Sequence, residues 1–260
     1  MASLQLDALT FGRAGQALAE PLDLRAEAGE VWAVLGENGV GKSSLLLTLA
    51  GLLPAVAGRV CVDGVDIRRC PRKLLARRIG LLLQQAWLDF PFTVTEAVSA
   101  GRYAHRQGWQ ALGRSDTPFI QSAIQSCGLE ALAEVRVDRL SGGEQRRVAL
   151  ATLLAQDPGV LLLDEPANHL DLRHQARLMA QVQRLAHESR RLVFMSVHDI
   201  NLAARHADRV LLLYPDGGHD AGPASAMLSE DRLARVFNHP VERVGEGARA
   251  LWVPRSASSS

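Results

Sequence analysis

Cysteine is scarce in this 260-residue chain, and Cys61, Cys70 and Cys127 are scattered with no CxxC pair among them. That pattern offers neither metal-ligand spacing nor a disulfide framework, and it fits a reducing, cytosolic compartment. Long apolar runs are missing as well. A membrane-spanning helix needs about 18 consecutive apolar residues or more, whereas the longest candidate, 45–58, is interrupted by Thr48, Gly51 and Pro54. Any membrane role is therefore expected to be peripheral. The amino terminus lacks a basic region followed by an apolar one, so no secretory signal is expected. Charge of one sign is also lacking: 29 Lys and Arg stand against 28 Asp and Glu, for a formal net charge of +1. There is thus no overall electrostatic case for a nucleic-acid partner or an anionic membrane surface. No internal repeat is visible, so the chain carries one copy of its unit.

What is present is a soluble, globular composition, 47% hydrophobic and 22% charged, on a chain long enough for a sizeable core. Short apolar runs at 31–35, 79–83, 160–163, 192–197 and 209–214 read as buried strands, and looser alternation at 3–11 and 59–64 reads as two more. Helical patterns follow at 43–51 and 174–189. Between 84 and 139 strand-like runs vanish and helical candidates at 95–102 and 119–132 take over, separated by a polar connection at 107–118. Strands alternating with helices imply a largely parallel α/β sheet. The tail 256–260 is low in complexity and expected to be disordered.

Two motifs carry chemistry on their own. Gly36-Glu37-Asn38-Gly39-Val40-Gly41-Lys42-Ser43 fits GxxxxGK[ST] between an apolar strand and a helix, the context that gives such a loop its meaning. Its glycines let backbone N–H groups turn inward around phosphate, and the helix directs its positive end there. Lys42 is expected to reach the β- and γ-phosphates and the Ser43 hydroxyl to hold Mg²⁺, with Ser44 next in the same turn. The run 160–163 stops at Asp164 and Glu165. A buried strand ending there sets both carboxylates at the mouth of the sheet. Asp164 suits the Mg²⁺ side, and Glu165 suits a general base that polarises water for attack on the γ-phosphate.

Between these motifs lies Leu140-Ser141-Gly142-Gly143-Glu144-Gln145. As bare sequence it is a capped helix start, since Ser followed three residues later by Glu is a capping pattern. In order and content, however, the set resembles the ATP-binding cassette (ABC) ATPases over nearly the whole chain to about residue 222. The resemblance implies a P-loop NTPase fold, α/β with a RecA-like core, an N-terminal antiparallel β region and a helical subdomain inserted at about 86–144. It implies an ATPase domain at 1–225 and a C-terminal extension at 226–260. It further implies that Ser141, Gly142, Gly143 and Glu144 serve the ATP held by a second copy of the chain. Asp171, within Asn168-His169-Leu170-Asp171, would cross the same two-fold interface, or simply cap a helix. Gln84 would sense Mg²⁺ and the attacking water, with Gln85 the adjacent alternative. His198 would contact the γ-phosphate, and Phe11 would stack on adenine.

The same resemblance extends to partners. Phe90-Pro91-Phe92-Thr93-Val94, Gly101-Arg102-Tyr103-Ala104-His105, 165–172 and the tail at 236–254, with an apolar strand at 251–254 near its end, look like the importer subgroup serving ferric-siderophore, haem and cobalamin uptake. That implies a homodimer on the cytoplasmic face of the inner membrane. It implies transmembrane permease subunits docked at Phe90 and Phe92 (or, read as residues alone, two core aromatics) and, indirectly, a periplasmic substrate-binding protein. An exporter or lipoprotein-release ATPase is the nearest rival. A soluble ABC ATPase acting on DNA or ribosomes is disfavoured by the lack of a coiled coil, zinc-binding cysteine pairs or a second cassette. Intact Lys42, Glu165 and His198 argue against a scaffold without activity.

Overall fold

The computed structural model describes residues 2–13, 15–84, 91–106, 113–168, 170–245, 247 and 250–255. In the first third of the chain, β1 (Ser3–Thr10), β2 (Gly12–Arg13), β3 (Gln16–Ala17), β4 (Leu22–Glu27) and β5 (Val31–Leu35) lead into α1 (Lys42–Leu49), followed by β6 (Ala57–Val62), β7 (Val65–Asp66), α2 (Arg72–Arg78) and β8 (Ile79–Leu82). A helical stretch comes next: α3 (Val94–Ser99), α4 (Thr117–Ser126) and α5 (Gly142–Ala155). Sheet then alternates with helix through β9 (Val160–Asp164), α6 (Leu172–His187), β10 (Leu192–Ser196), α7 (Ile200–His206) and β11 (Arg209–Leu213). The chain closes with β12 (His219–Pro223), α8 (Ala224–Met227), α9 (Glu230–Phe237), β13 (Val241–Val244) and β14 (Leu251–Pro254).

Two sheets share the work. The smaller, β4-β1-β6-β7, is antiparallel. β4 alternates strictly, burying Leu22, Leu24 and Ala26 and exposing Asp23, Arg25 and Glu27, as a strand with one covered face must. The larger has the order β12-β11-β5-β10-β9-β8, parallel throughout except for β12. Its central strands β5, β9 and β10 are buried along their whole length, because both faces are covered. Period-two alternation divides their side chains. Trp32, Val34, Leu162 and Phe194 pack with Leu45, Leu46 and Leu49 of α1 and with β1 and β4. Ala33, Leu161, Leu163, Val193 and Met195 pack with Met179 and Val182 of α6 and with α5. Trp32 and Phe194 stack across β5 and β10 with ring centroids 5.4 Å apart and planes 3° from parallel.

The helical stretch agrees with the expectation that strands disappear there, leaving only the isolated bridge Thr93–Arg136 among the described residues. Its boundaries differ from the periodicity. α3 ends at Ser99 and passes into a 3₁₀ segment, Ala100–His105, whose backbone at Gly101 runs against α5: a Cβ there would lie 2.2 Å from the Thr152 carbonyl oxygen. α4 stops at Ser126 instead of reaching 132, since Gly128 turns the chain at φ +61°. α5 runs through the expected end of the insert at 144 and carries it back onto the sheet beside β8.

Beyond 225, α9 buries Leu233 and Val236 in the same core as the sheet. The hairpin β13–β14 is tied to α7 by a reciprocal pair: the Asn201 amide donates to the Trp252 carbonyl (3.0 Å) and accepts from its N–H (2.7 Å). The tail expectation for 256–260 lies outside the described residues.

Candidate functional site

Four strand ends build one site. In the order β5-β10-β9-β8 the carboxyl ends are followed by the glycine-rich loop, His198, Glu165 and Gln84, so the sheet sets these groups side by side. This is the edge at which open α/β sheets receive ligands. Asn38, Gly39, Gly41, Lys42, Ser43, Ser44, Gln84, Glu165, Asn168 and His198 line a cavity of about 610 Å³ there, with Arg13 and Leu18 at its rim. The expected cluster of Lys42, Ser43, Gln84, Glu165 and His198 is thus brought together from segments far apart in sequence.

The loop is held tightly at its root. A Cβ at Gly36 would stand 2.6 Å from Val40 Cγ1 and 3.0 Å from the Leu213 carbonyl oxygen. Gly41 sits at φ +113°, a conformation that L side chains avoid. Lys42 is buried at 5% exposure, and its ammonium donates to the carbonyls of Gly36 (2.8 Å) and Glu37 (2.9 Å). Burial lowers its pKa, and the nearby Glu165 and Asp164 carboxylates pull the other way.

Glu165 follows β9 in the left-handed region at φ 47°. A non-glycine residue there stores backbone strain, a feature that clusters at active sites. Its carboxylate is gripped from three sides. Gln84 Nε2 donates to Oε2 (2.6 Å), Asn168 Nδ2 donates to the same oxygen, and His198 Nε2 meets Oε1. His198 Nδ1 lies 3.5 Å from the Lys42 ammonium. One neutral tautomer satisfies both contacts: Nε2–H donates to the carboxylate while Nδ1 accepts from Lys42. Behind Glu165, the Ser196 hydroxyl donates to Asp164 Oδ1 (2.6 Å) and accepts the Glu165 N–H (2.9 Å). Asp164 is buried at 4% exposure and is not among the residues lining the cavity.

The Ser43 hydroxyl and the Gln84 amide oxygen in the wall are hard oxygen donors suited to Mg²⁺. Among the described residues no group of three His, Cys, Asp or Glu forms a cage. Ser43 and Gln84 would be the residues to hold such a cation, which would supply charge neutralisation there.

Phe11 requires a correction. Its ring is fully buried beneath the loop, 3.0 Å from where a Cβ of Gly41 would be, and shares the core with Leu9, Leu22 and Leu45. No face is open for a base. Arg13 and Leu18, which nothing in the sequence marked, hold the rim instead. Asn168, which the sequence marks only as part of the segment before Asp171, holds the Glu165 carboxylate with its amide. Gln85 and Phe90 lie outside the described residues, as does His169. Phe92 is 50% exposed, so it is not a core aromatic, and Leu83 and Tyr103 are also exposed, at 42% and 57%.

Ser141 caps α5 in a capping box. Its hydroxyl accepts the Glu144 N–H (3.4 Å), and the Glu144 carboxylate accepts the Ser141 N–H (2.9 Å) and the Ser141 hydroxyl (2.7 Å). The Ser141 hydroxyl, then its backbone N–H, holds the Glu144 carboxyl below the usual range. Residues 141–144 are not among those lining the phosphate-loop cavity. Cβ atoms at Gly142 and Gly143 would meet nothing within 4 Å, and neither residue has positive φ, so nothing within this chain requires glycine there. Asp171 caps α6, accepting the His174 N–H (2.8 Å) and contacting His174 Nδ1 (2.8 Å).

One residue absent from the sequence reading links these parts. Arg146 of α5 donates to the carbonyls of Leu83 and Gln84 (2.9 Å) with one nitrogen and of Asp164 (2.8 Å) and Glu165 (3.0 Å) with the other. Burial lowers its pKa, against the pull of Asp164 and Glu165.

A family model described as "ABC transporter" matches residues 19–168. The chain is 39% identical to the hemin import ATP-binding protein HmuV of Rhodopseudomonas palustris (strain BisB5), covering 91% of each protein. It is 36% identical to the achromobactin transport ATP-binding protein CbrD of Dickeya dadantii (strain 3937), covering 88% of this chain and 86% of that one. Among solved structures, a putative metal-chelate type ABC transporter in an inward-facing conformation superposes with a TM-score of 0.86 at 25% identity, covering 98% of both chains. A dimeric ATP-binding cassette in a post-hydrolysis state with ADP and Pi superposes with a TM-score of 0.73 at 26% identity, covering 85% of this chain and 98% of that one.

Proposed function

This chain belongs to the ABC transporter family, and from that premise we propose that two copies close around two ATP molecules to drive uptake of a metal chelate through a separate membrane permease. The substrate class is that named for its relatives, ferric siderophore, haem or cobalamin. The observation that carries the catalytic half is the convergence of the phosphate loop, Gln84, Glu165 and His198 at adjacent strand ends.

In this reading the N–H groups of residues 36–43 cradle the phosphates. Lys42 exchanges its two loop carbonyls for β- and γ-phosphate oxygens. Ser43 and Gln84 would hold Mg²⁺, with Asp164 next to Glu165 on the same strand end, and the ion would supply neutralisation of the phosphate charge. Glu165 orients and deprotonates the attacking water, and His198 fixes that carboxylate and contacts the γ-phosphate. General-base catalysis of this kind contributes about 10²–10⁴-fold. Ser141, Gly142 and Gly143 complete the ATP site of the second copy, with Asp171 at the same interface. The open space over both glycines supports that role, because a close approach from outside the chain is what would demand them. The dimeric cassette relative supports the two-fold arrangement.

No described helix is long and apolar enough to cross a membrane, which is consistent with a peripheral subunit at the cytoplasmic face of the inner membrane. Exposed Phe92, with Tyr103 and Leu83, supports a permease docking patch on the helical layer. A periplasmic substrate-binding protein would act on the far side, without touching this chain.

The test is Glu165→Gln. With saturating Mg-ATP it should lose turnover and run as a dimer of 28.1 kDa chains in light scattering. A monomer under those conditions overturns the shared-site reading.

A further inference from the structure

A second cavity, of about 350 Å³, lies between the helical layer and the sheet core, away from the phosphate loop. Its walls are the carboxyl end of α4, the middle of α5 and one face of α6. That volume is within the range of small-molecule sites, and three features of the lining select a ligand.

The first is charge. On α6, His174, Arg177, Gln181 and Arg184 recur at helical spacing and share one face. The guanidinium groups of Arg177 and Arg184 form no ion pair or hydrogen bond among the described residues, and the described lining contains no Asp or Glu. The second is unmet polarity deep in the site. Gln181 is only 8% exposed, yet its amide finds no better donor contact than the Cys127 sulfur at 4.0 Å. Across from it, Arg147 uses one terminal nitrogen on the carbonyls of Cys127 (3.2 Å) and Gly128 (2.9 Å), but its buried Nε has no partner. Buried donors left unmet are costly, and a ligand acceptor is one way to satisfy them. The third is the floor: Leu82, Leu150 and Leu178 supply an apolar surface beneath the cationic rim.

We propose that this cavity is a binding site for a small amphipathic anion, a carboxylate or phosphate head on a short apolar chain, seated between α5 and α6. The head meets Arg177, Arg184 and the Gln181 amide, and the chain lies on the leucines. Two-chain lipids exceed the volume. Because Arg146 stands in the same wall and reaches the carbonyls of Gln84 and Glu165, occupancy fixes the orientation of the helical layer against the catalytic strand ends.

The experiment is calorimetric titration of the full chain with octyl phosphate and octanoate, with Mg-AMP-PNP saturating so that the phosphate loop is filled. Both probes should bind saturably, and the double variant Arg177→Glu/Arg184→Glu should bind them at least about tenfold more weakly. Both arginines are exposed, so folding of the variant is expected, and its affinity for AMP-PNP should match the wild type. The inference is overturned if octylammonium binds as tightly, if inorganic phosphate alone binds as tightly as octyl phosphate, if the double variant binds the probes unchanged, or if neither probe binds. Loss of AMP-PNP binding with octyl phosphate binding intact would count against the nucleotide site and leave this cavity standing.

Discussion

Replacing Arg146 with Ala should cripple turnover while sparing nucleotide binding. One guanidinium spans the ends of β8 and β9, holding Gln84 by its carbonyl and Glu165 by its carbonyl. A charge-assisted hydrogen bond contributes about 1.5–3 kcal/mol net. The Leu83 and Gln84 carbonyls are near solvent and regain water when the arginine is removed, so most of the loss falls on the Asp164 and Glu165 carbonyls at the buried end. That gives about 3–6 kcal/mol of local destabilisation, which at about 2–4 °C per kcal/mol lowers Tm by about 6–24 °C. The larger effect is on geometry. Without the fork, the Glu165 carboxylate and the Gln84 amide lose their common anchor, and small misplacements at a reacting centre cost about 10²-fold. We expect kcat to fall about 10–100-fold, with ATP affinity within about twofold, since the Lys42 ammonium makes no hydrogen bond to any residue that Arg146 holds apart from its charge interaction with Asp164 and Glu165. Arg146→Lys should recover little, because an ammonium cannot fork between two segments. Steady-state ATPase assays with parallel nucleotide titration make the measurement. Unchanged kcat, or a loss confined to ATP binding, would refute the reasoning.

Other outcomes follow from the same geometry. Lys42→Ala should abolish ATP binding or turnover, and wild-type ATPase activity in that variant would remove the phosphate-loop assignment. Gly143→Leu should leave the monomer as stable as the wild type or up to about 1 kcal/mol more stable, because Leu is the better helix former and a Cβ there meets nothing within 4 Å. The same variant should lose ATP-dependent dimerisation in light scattering, and a normal ATP dimer would mean that no partner approaches the α5 cap. Burial pushes the Cys127 thiol up to about 12, so at pH 8 it carries almost no thiolate. Iodoacetamide under native conditions should therefore modify Cys61 and Cys70, which are half-buried, well before Cys127, as read by peptide mass spectrometry. Early labelling of Cys127 would show that the α4 end opens.

Much of the site could be read from the chain because its parts are local words. The phosphate loop, Asp164-Glu165 and His198 each end an apolar run, and a run of branched and aliphatic residues betrays a strand covered on both faces. β4 escaped because half of its residues are charged, although its strict alternation was there to be seen. Phe11 misled for a physical reason: an aromatic at a strand end looks the same whether it lies above the loop or beneath it, and only the packing against Gly41 and Leu45 decides. Arg146 was invisible because its carbonyl partners lie on other segments, 62 residues away at Gln84 and 18 at Asp164, and no pattern of side-chain types encodes a contact to backbone. Asn168 and Arg13 share that fate, since each matters through where the fold delivers it.

The place of β5 in the sheet bears on how the molecule is made. This strand carries the phosphate loop and is synthesised early, yet both of its neighbours, β10 and β11, begin at Leu192 or later. A ribosome-bound chain ending before Leu192 therefore holds a complete phosphate-loop sequence whose strand has neither of its hydrogen-bonding partners. Pairings of such long reach form slowly, so the exposed apolar run Val31–Leu35 must be shielded until most of the protein has emerged.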